Sequence, residues 1–106
     1  IGGVVSFHGI FTPPAGSSYN TDGTITAKVL ALHGNDDPMV PHESVNSLAN
    51  ELTTAKADWQ IHAYGNTVHA FTNPTANSPK DGMAFSESAD RRSWKTMSDF
   101  LEEVFA

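Results

Sequence analysis

Two polar loops hold residues whose chemistry can combine. The first is His33-Gly34-Asn35-Asp36-Asp37-Pro38-Met39-Val40-Pro41, and the second is Tyr64-Gly65-Asn66-Thr67-Val68-His69-Ala70-Phe71. Each follows a run of strand-like residues, and in open parallel sheets ligands bind beyond the C-terminal ends of the strands. If the two strands are parallel neighbours, a carboxylate from the first loop can meet the imidazole of the second. A carboxylate on one ring nitrogen fixes the tautomer and stabilises the imidazolium, leaving the other nitrogen to take a proton from a nucleophile. The residue types alone support an Asp–His dyad and go no further.

The other histidines carry less. His8 and His33 end strands on the same presumed ligand edge, where either lines the site or packs in it. His42 reads as a helix-start residue and His62 as a solvent-facing strand position. None of the five histidines shows the i, i+4 or close-pair spacing of zinc ligands, so neither a metal nor another cofactor is expected.

The elements that must position these loops follow from periodicity. Ile1 to His8 contains the apolar, β-branched run Val4-Val5-Ser6-Phe7, which suits a strand covered on both faces. Ile10 to Ala27, with Pro13-Pro14, Gly16 and Asn20 to Gly23, reads as a loop. Lys28 to His33 is a second buried strand. A helix is expected from about His42 to Ala55, with Val45, Leu48, Ala49 and Leu52 on one face and Glu43 in its first turn. Asp58 to Tyr64 alternates as a half-covered strand nearer a sheet edge. Gly65 to about Ser86 reads as a long structureless loop, a feature often tied to function. A last helix, about Ser86 to Phe105, places Trp94, Met97, Leu101 and Val104 on one face, with Trp94 and Met97 in the core. Phe71 is expected to pack beneath the histidine loop. The sum is an α/β pattern of about three parallel strands with two main helices. The first strand calls for a further neighbour outside these residues.

Composition narrows the partners. The 106 residues carry six Lys and Arg against twelve Asp and Glu, a net charge of −6, and the only adjacent cations are Arg91-Arg92. Phosphate backbones and anionic membranes need clustered cations, so neither nucleic acid nor a membrane is an expected partner. No apolar run approaches the ~20 residues of a transmembrane helix. The chain has no cysteine, which removes disulfides and a cysteine nucleophile from these residues. A soluble, cytoplasmic protein is the expectation.

The motifs make a resemblance specific. Gly34-Asn35-Asp36-Asp37-Pro38-Met39-Val40-Pro41 resembles the G-x-x-D-x-x-V-P acid loop of the dienelactone hydrolase family, within the α/β-hydrolases. Val68-His69-Ala70-Phe71 is similar to its H-x-F histidine loop. Gly82-Met83-Ala84-Phe85, Ala89-Asp90-Arg91-Arg92-Ser93-Trp94 and Gly3-Val4-Val5-Ser6-Phe7-His8-Gly9 resemble its flanking segments. The resemblance thus covers nearly the whole chain.

It implies the C-terminal part of an α/β-hydrolase fold, residues 1–106 being one segment of a single domain. It also implies that the triad acid is Asp37 rather than Asp36 and that His69 is the triad histidine. The order nucleophile, acid, histidine puts the nucleophile upstream. No G-x-C-x-G or G-x-S-x-G occurs here, and Gly16-Ser17-Ser18 lacks both the second glycine and the preceding strand. The implied substrate is a small-molecule ester or lactone, and the isolated chain is expected to be inactive.

Other readings stand beside this one. Taken alone, Asp36-Asp37-Pro38 is a turn that starts the next helix. The chain is alternatively a non-catalytic fragment or assembly module that forms a homo-oligomer through the open edge of its first strand, or that pairs there with the missing N-terminal half. A small α/β binding module with an unrelated ligand would leave both loop matches to coincidence.

Overall fold

The computed structural model describes residues 2–12 and 23–106. Ser17, Ser18 and most of the loop expected between the first two strands lie outside the described residues. Strand β1 (Gly3–Phe7) pairs in parallel with β2 (Lys28–Gly34), and β2 pairs in parallel with β3 (Trp59–Tyr64). The sheet order is β1-β2-β3. Helix α1 (His42–Thr54) links β2 to β3, and helix α2 (Glu87–Val104) closes the chain. The α/β pattern of three parallel strands and two helices is therefore present.

The central strand explains the core. Leu30, Ala31, Leu32 and His33 are all buried, as a strand covered on both faces requires. Leu30 and Leu32 share one face with Val5 and Phe7 and meet Phe71, Ala89 and Phe100. α2 comes close because its contact face is small: Ala89 and Ser93 are buried, and a Cβ on Gly3 would lie 2.9 Å from Val104 and 3.1 Å from the Phe100 ring. Ser86 caps the helix, its hydroxyl accepting from the Ala89 amide.

Two expectations are corrected. Trp94 is 62% exposed instead of buried. Its stripe is displaced by about one position, since the small Ser93 rather than the bulky Trp94 faces the sheet. Met97, Leu101 and Val104 do pack against the core. Nor is the segment from Gly65 to Ser86 structureless. It contains a two-stranded antiparallel sheet of β4 (Asn77–Ser78) and β5 (Met83–Ala84), joined by a single 3-10 turn at Pro79–Asp81. Elements of two or three residues are too short to show a hydrophobic period. Among the described residues, no helix is long and apolar enough to cross a membrane.

Candidate active site

The acid loop is a tight turn built on the end of β2. The Asp37 amide donates to the Gly34 carbonyl at 3.0 Å, and the Val40 amide donates to the Asp37 carbonyl at 3.2 Å. The Met39 amide donates to Asp37 Oδ1 at 2.9 Å, the local side-chain-to-backbone bond that Asp forms readily. The neighbouring loop then seals against it. The Asn35 amide donates to the Tyr64 carbonyl and the Asp36 amide to the Thr67 carbonyl, each at 2.9 Å. Gly34 permits this approach, because a Cβ there would lie 2.7 Å from both the Thr67 and the Val68 carbonyl oxygens.

His69 is held from the other side. Its amide donates to the Gly82 carbonyl at 2.9 Å, and its carbonyl accepts from the Ala84 amide at 3.1 Å. The chain then turns through a left-handed conformation at Ala70, with φ of 61°, and sinks Phe71 fully into the core. Gly82, itself at φ 79°, lies against Pro38, whose ring would overlap any Cβ at this position. The β4–β5 ribbon thus braces both loops.

The result is a hydrogen bond of 2.8 Å between His69 Nδ1 and Asp37 Oδ2. The Asp37 side chain is fully buried, whereas that of His69 keeps 19% exposure. Each Asp37 oxygen has an N–H donor, so the buried carboxylate is satisfied. Nδ1 is committed to the acid, which leaves Nε2 for proton transfer.

Two further imidazoles flank this pair. His8, at the end of β1, lies 5.4 Å from the His69 ring and 5.2 Å from the Phe71 ring, edge-on to both. Its Nε2 is 2.8 Å from Thr72 Oγ1. Burial is the main cause that lowers its pKa, helped by repulsion from His69 and opposed by a hydrogen bond to its own backbone and by Asp37. His33 is buried in the wall, with neither ring nitrogen hydrogen-bonded among the described residues. Its pKa is also lowered, again chiefly by burial. Among the described residues, no three His, Asp or Glu side chains are grouped to hold a metal ion.

A pair of loops with this spacing and geometry can be set against known proteins. The model of the dienelactone hydrolase family matches residues 1–105. The chain belongs to the dienelactone hydrolase family. Uncharacterized protein K02A2.1 of Caenorhabditis elegans is 32% identical over 104 residues, which cover 97% of this chain and 65% of that protein. Among solved structures, a dienelactone hydrolase-like promiscuous phosphotriesterase from metagenomic libraries is 36% identical with a TM-score of 0.81. The match covers 97% of this chain and 42% of that one. A structure named m3DLH is 33% identical with a TM-score of 0.83, over 99% of this chain and 43% of its own. The sheet and its two helices are therefore part of an α/β-hydrolase fold. The chain spans less than two thirds of the length of these relatives.

Within this family frame, the structure brings Asp37 and His69 together, and Asp36 lies exposed beside them. His42 opens α1, as its position in the sequence suggested. His62 is half-buried, its Nε2 3.2 Å from Oε1 of the exposed Gln60. Sequence reasoning missed Thr72, which hydrogen-bonds His8 from 64 residues away, and Phe100, which takes the core position assigned to Trp94. The distance in sequence hides the first. A signal for the second was present, since Ala89, Ser93 and Phe100 share a helical face with Met97.

Proposed function

We propose that the protein containing these residues is a carboxylic ester or lactone hydrolase, in which His69 moves the proton and Asp37 orients His69. The observation that carries this reading is the 2.8 Å bond between a fully buried carboxylate and a partly exposed imidazole at the C-terminal rim of a parallel sheet. Family membership supports the reaction class. In this reading, residues 1–106 are the C-terminal segment of a single domain, and a Ser or Cys outside them is the nucleophile.

The reaction is then acyl transfer. The nucleophile attacks the carbonyl carbon while His69 Nε2 accepts its proton, giving a tetrahedral oxyanion. Collapse expels the alcohol, or the ring oxygen of a lactone, which takes the proton back from His69. Water then attacks the acyl-enzyme while His69 takes its proton; collapse breaks the bond to the nucleophile, which takes that proton back from His69 as the acid leaves. Asp37 stays ionised throughout and stabilises the imidazolium. The isolated segment lacks the nucleophile and is inactive.

The test is hydrolysis of a nitrophenyl ester and of a simple lactone by the full-length protein. Asp37→Asn should lower kcat by roughly 10⁴-fold and His69→Ala by roughly 10⁴- to 10⁶-fold. Unchanged rates in either variant reject the assignment. A second substrate class belongs in the same assay, because one similar structure is described as a promiscuous phosphotriesterase. Loss of triester hydrolysis in the same two variants would assign that activity to the same pair.

A further inference from the structure

We propose that His8 is a positioning residue for His69: clasped to Thr72, its imidazole braces the histidine loop and sets the plane in which His69 meets Asp37. This inference rests on the hydrolase reading above and adds a third side chain to it.

The geometry is specific. His8 sits where β1 ends, with φ of 39°, in the left-handed region that residues bearing a Cβ enter at a cost. Its amide donates to the Leu32 carbonyl at 2.9 Å, so the strained residue is pinned to the central strand. From there the ring reaches three of four consecutive residues of the histidine loop. It stands edge-on to His69 at 5.4 Å and 68°, edge-on to Phe71 at 5.2 Å and 80°, and hydrogen-bonds Thr72 Oγ1. The fourth residue, Ala70, is the one with positive φ. The imidazole therefore packs inside the turn that carries His69. Strain at such a place persists when the surroundings over-determine it.

The charge of His8 fits this role. The titratable groups that act on it are His69, from the histidine loop, and Asp37, from the acid loop. Burial, with repulsion from His69, outweighs the hydrogen bond to its own backbone and Asp37, lowers its pKa and so favours the neutral ring. A neutral neighbour lets His69 take its proton during catalysis, whereas a second cation 5.4 Å away would oppose it. In the tautomer with Nδ1 protonated, Nε2 of His8 accepts from the Thr72 hydroxyl.

The experiment uses the full-length protein and two readouts. The first is the ¹⁵N imidazole spectrum of His69, which reports its tautomer without requiring turnover. The wild type should show a single Nδ1–H form, and His8→Ala should convert it to an exchanging mixture. The second is kinetic. His8→Ala should lower kcat about ten- to a hundredfold with KM little changed, the scale expected for a misplaced catalytic group. Thr72→Val should reproduce the loss, and the double variant should be no worse than either single, as for two members of one unit. His8→Gln, which still offers Thr72 an acceptor, should recover kcat to within about threefold of wild type.

An unaltered His69 spectrum in His8→Ala and Thr72→Val overturns the proposal. So does a loss confined to KM, which would mark His8 as a substrate contact. Failure of the hydrolase reading looks different: His69→Ala would keep full activity, while the spectral effect of His8 on His69 could still be present.

Discussion

Asp37 gives each carboxylate oxygen to a different N–H, one from the Met39 backbone and one from the His69 ring. Asp36, one residue earlier, is exposed and accepts from the Asn35 side chain at 3.3 Å. Asp37 turns inward within a turn held by its amide to the Gly34 carbonyl and by the Met39 amide to its Oδ1, features no composition reveals. The loop residues themselves left both carboxylates open, and the family resemblance selected Asp37. His33 offers a separate test. Among the described residues its two buried ring nitrogens have no hydrogen-bond partner, and each such group costs stability. His33→Phe should therefore raise stability by about 1 kcal/mol or more in denaturant titration. The same residue affects pH dependence. His8 and His33 both have folded pKa values below the ordinary 6.5. As pH falls through 6.5, the unfolded chain gains protons at these positions before the folded protein does. Stability should thus be fully present above that pH and decline below it, until the folded values are passed. Denaturation midpoints measured across this range should show the decline, and His33→Phe should make it shallower.

At the scale of elements, glycines and caps decide how closely segments meet. Gly34→Ala would drive a methyl group into two carbonyl oxygens of the neighbouring loop. Overpacking against backbone should cost about 1–3 kcal/mol and separate His69 from Asp37, so thermal stability and hydrolysis should fall together. Gly82→Ala combines a positive φ with overlap on the Pro38 ring and should cost at least as much. Ser86→Ala should cost about 1 kcal/mol by removing the cap of α2, while leaving the rate per folded molecule unchanged. The three main strands and both long helices were legible because Val29 to Leu32, Val45 to Leu52 and Met97 to Val104 keep clear periods over several residues. The helix phase was misread at Trp94 because hydrophobicity favoured the largest side chain, whereas contact with the sheet favoured Ala89 and Ser93. The β4–β5 ribbon was invisible for a different reason: its strands of two residues carry no pattern of their own, and His69 bonds to its Gly82 and Ala84 from outside it.

For the molecule as a whole, the sheet among the described residues ends on β1, whose Val4 is 46% exposed. We expect residues 1–106 expressed alone to self-associate through this side, seen by light scattering, and Val4→Lys to weaken the association as charge does on an edge strand. A well-behaved monomer would argue against that. The site's own bonds span long stretches of sequence: 32 residues separate Asp37 from His69, and 64 separate His8 from Thr72. Contacts of this kind form only after large loops have closed, which makes parallel topologies slow to fold. Refolding of the full-length protein should therefore proceed out of step, with helical signal returning early and the Asp37–His69 contact returning last. A chain stalled halfway would look largely folded to a spectrometer and yet be chemically inert.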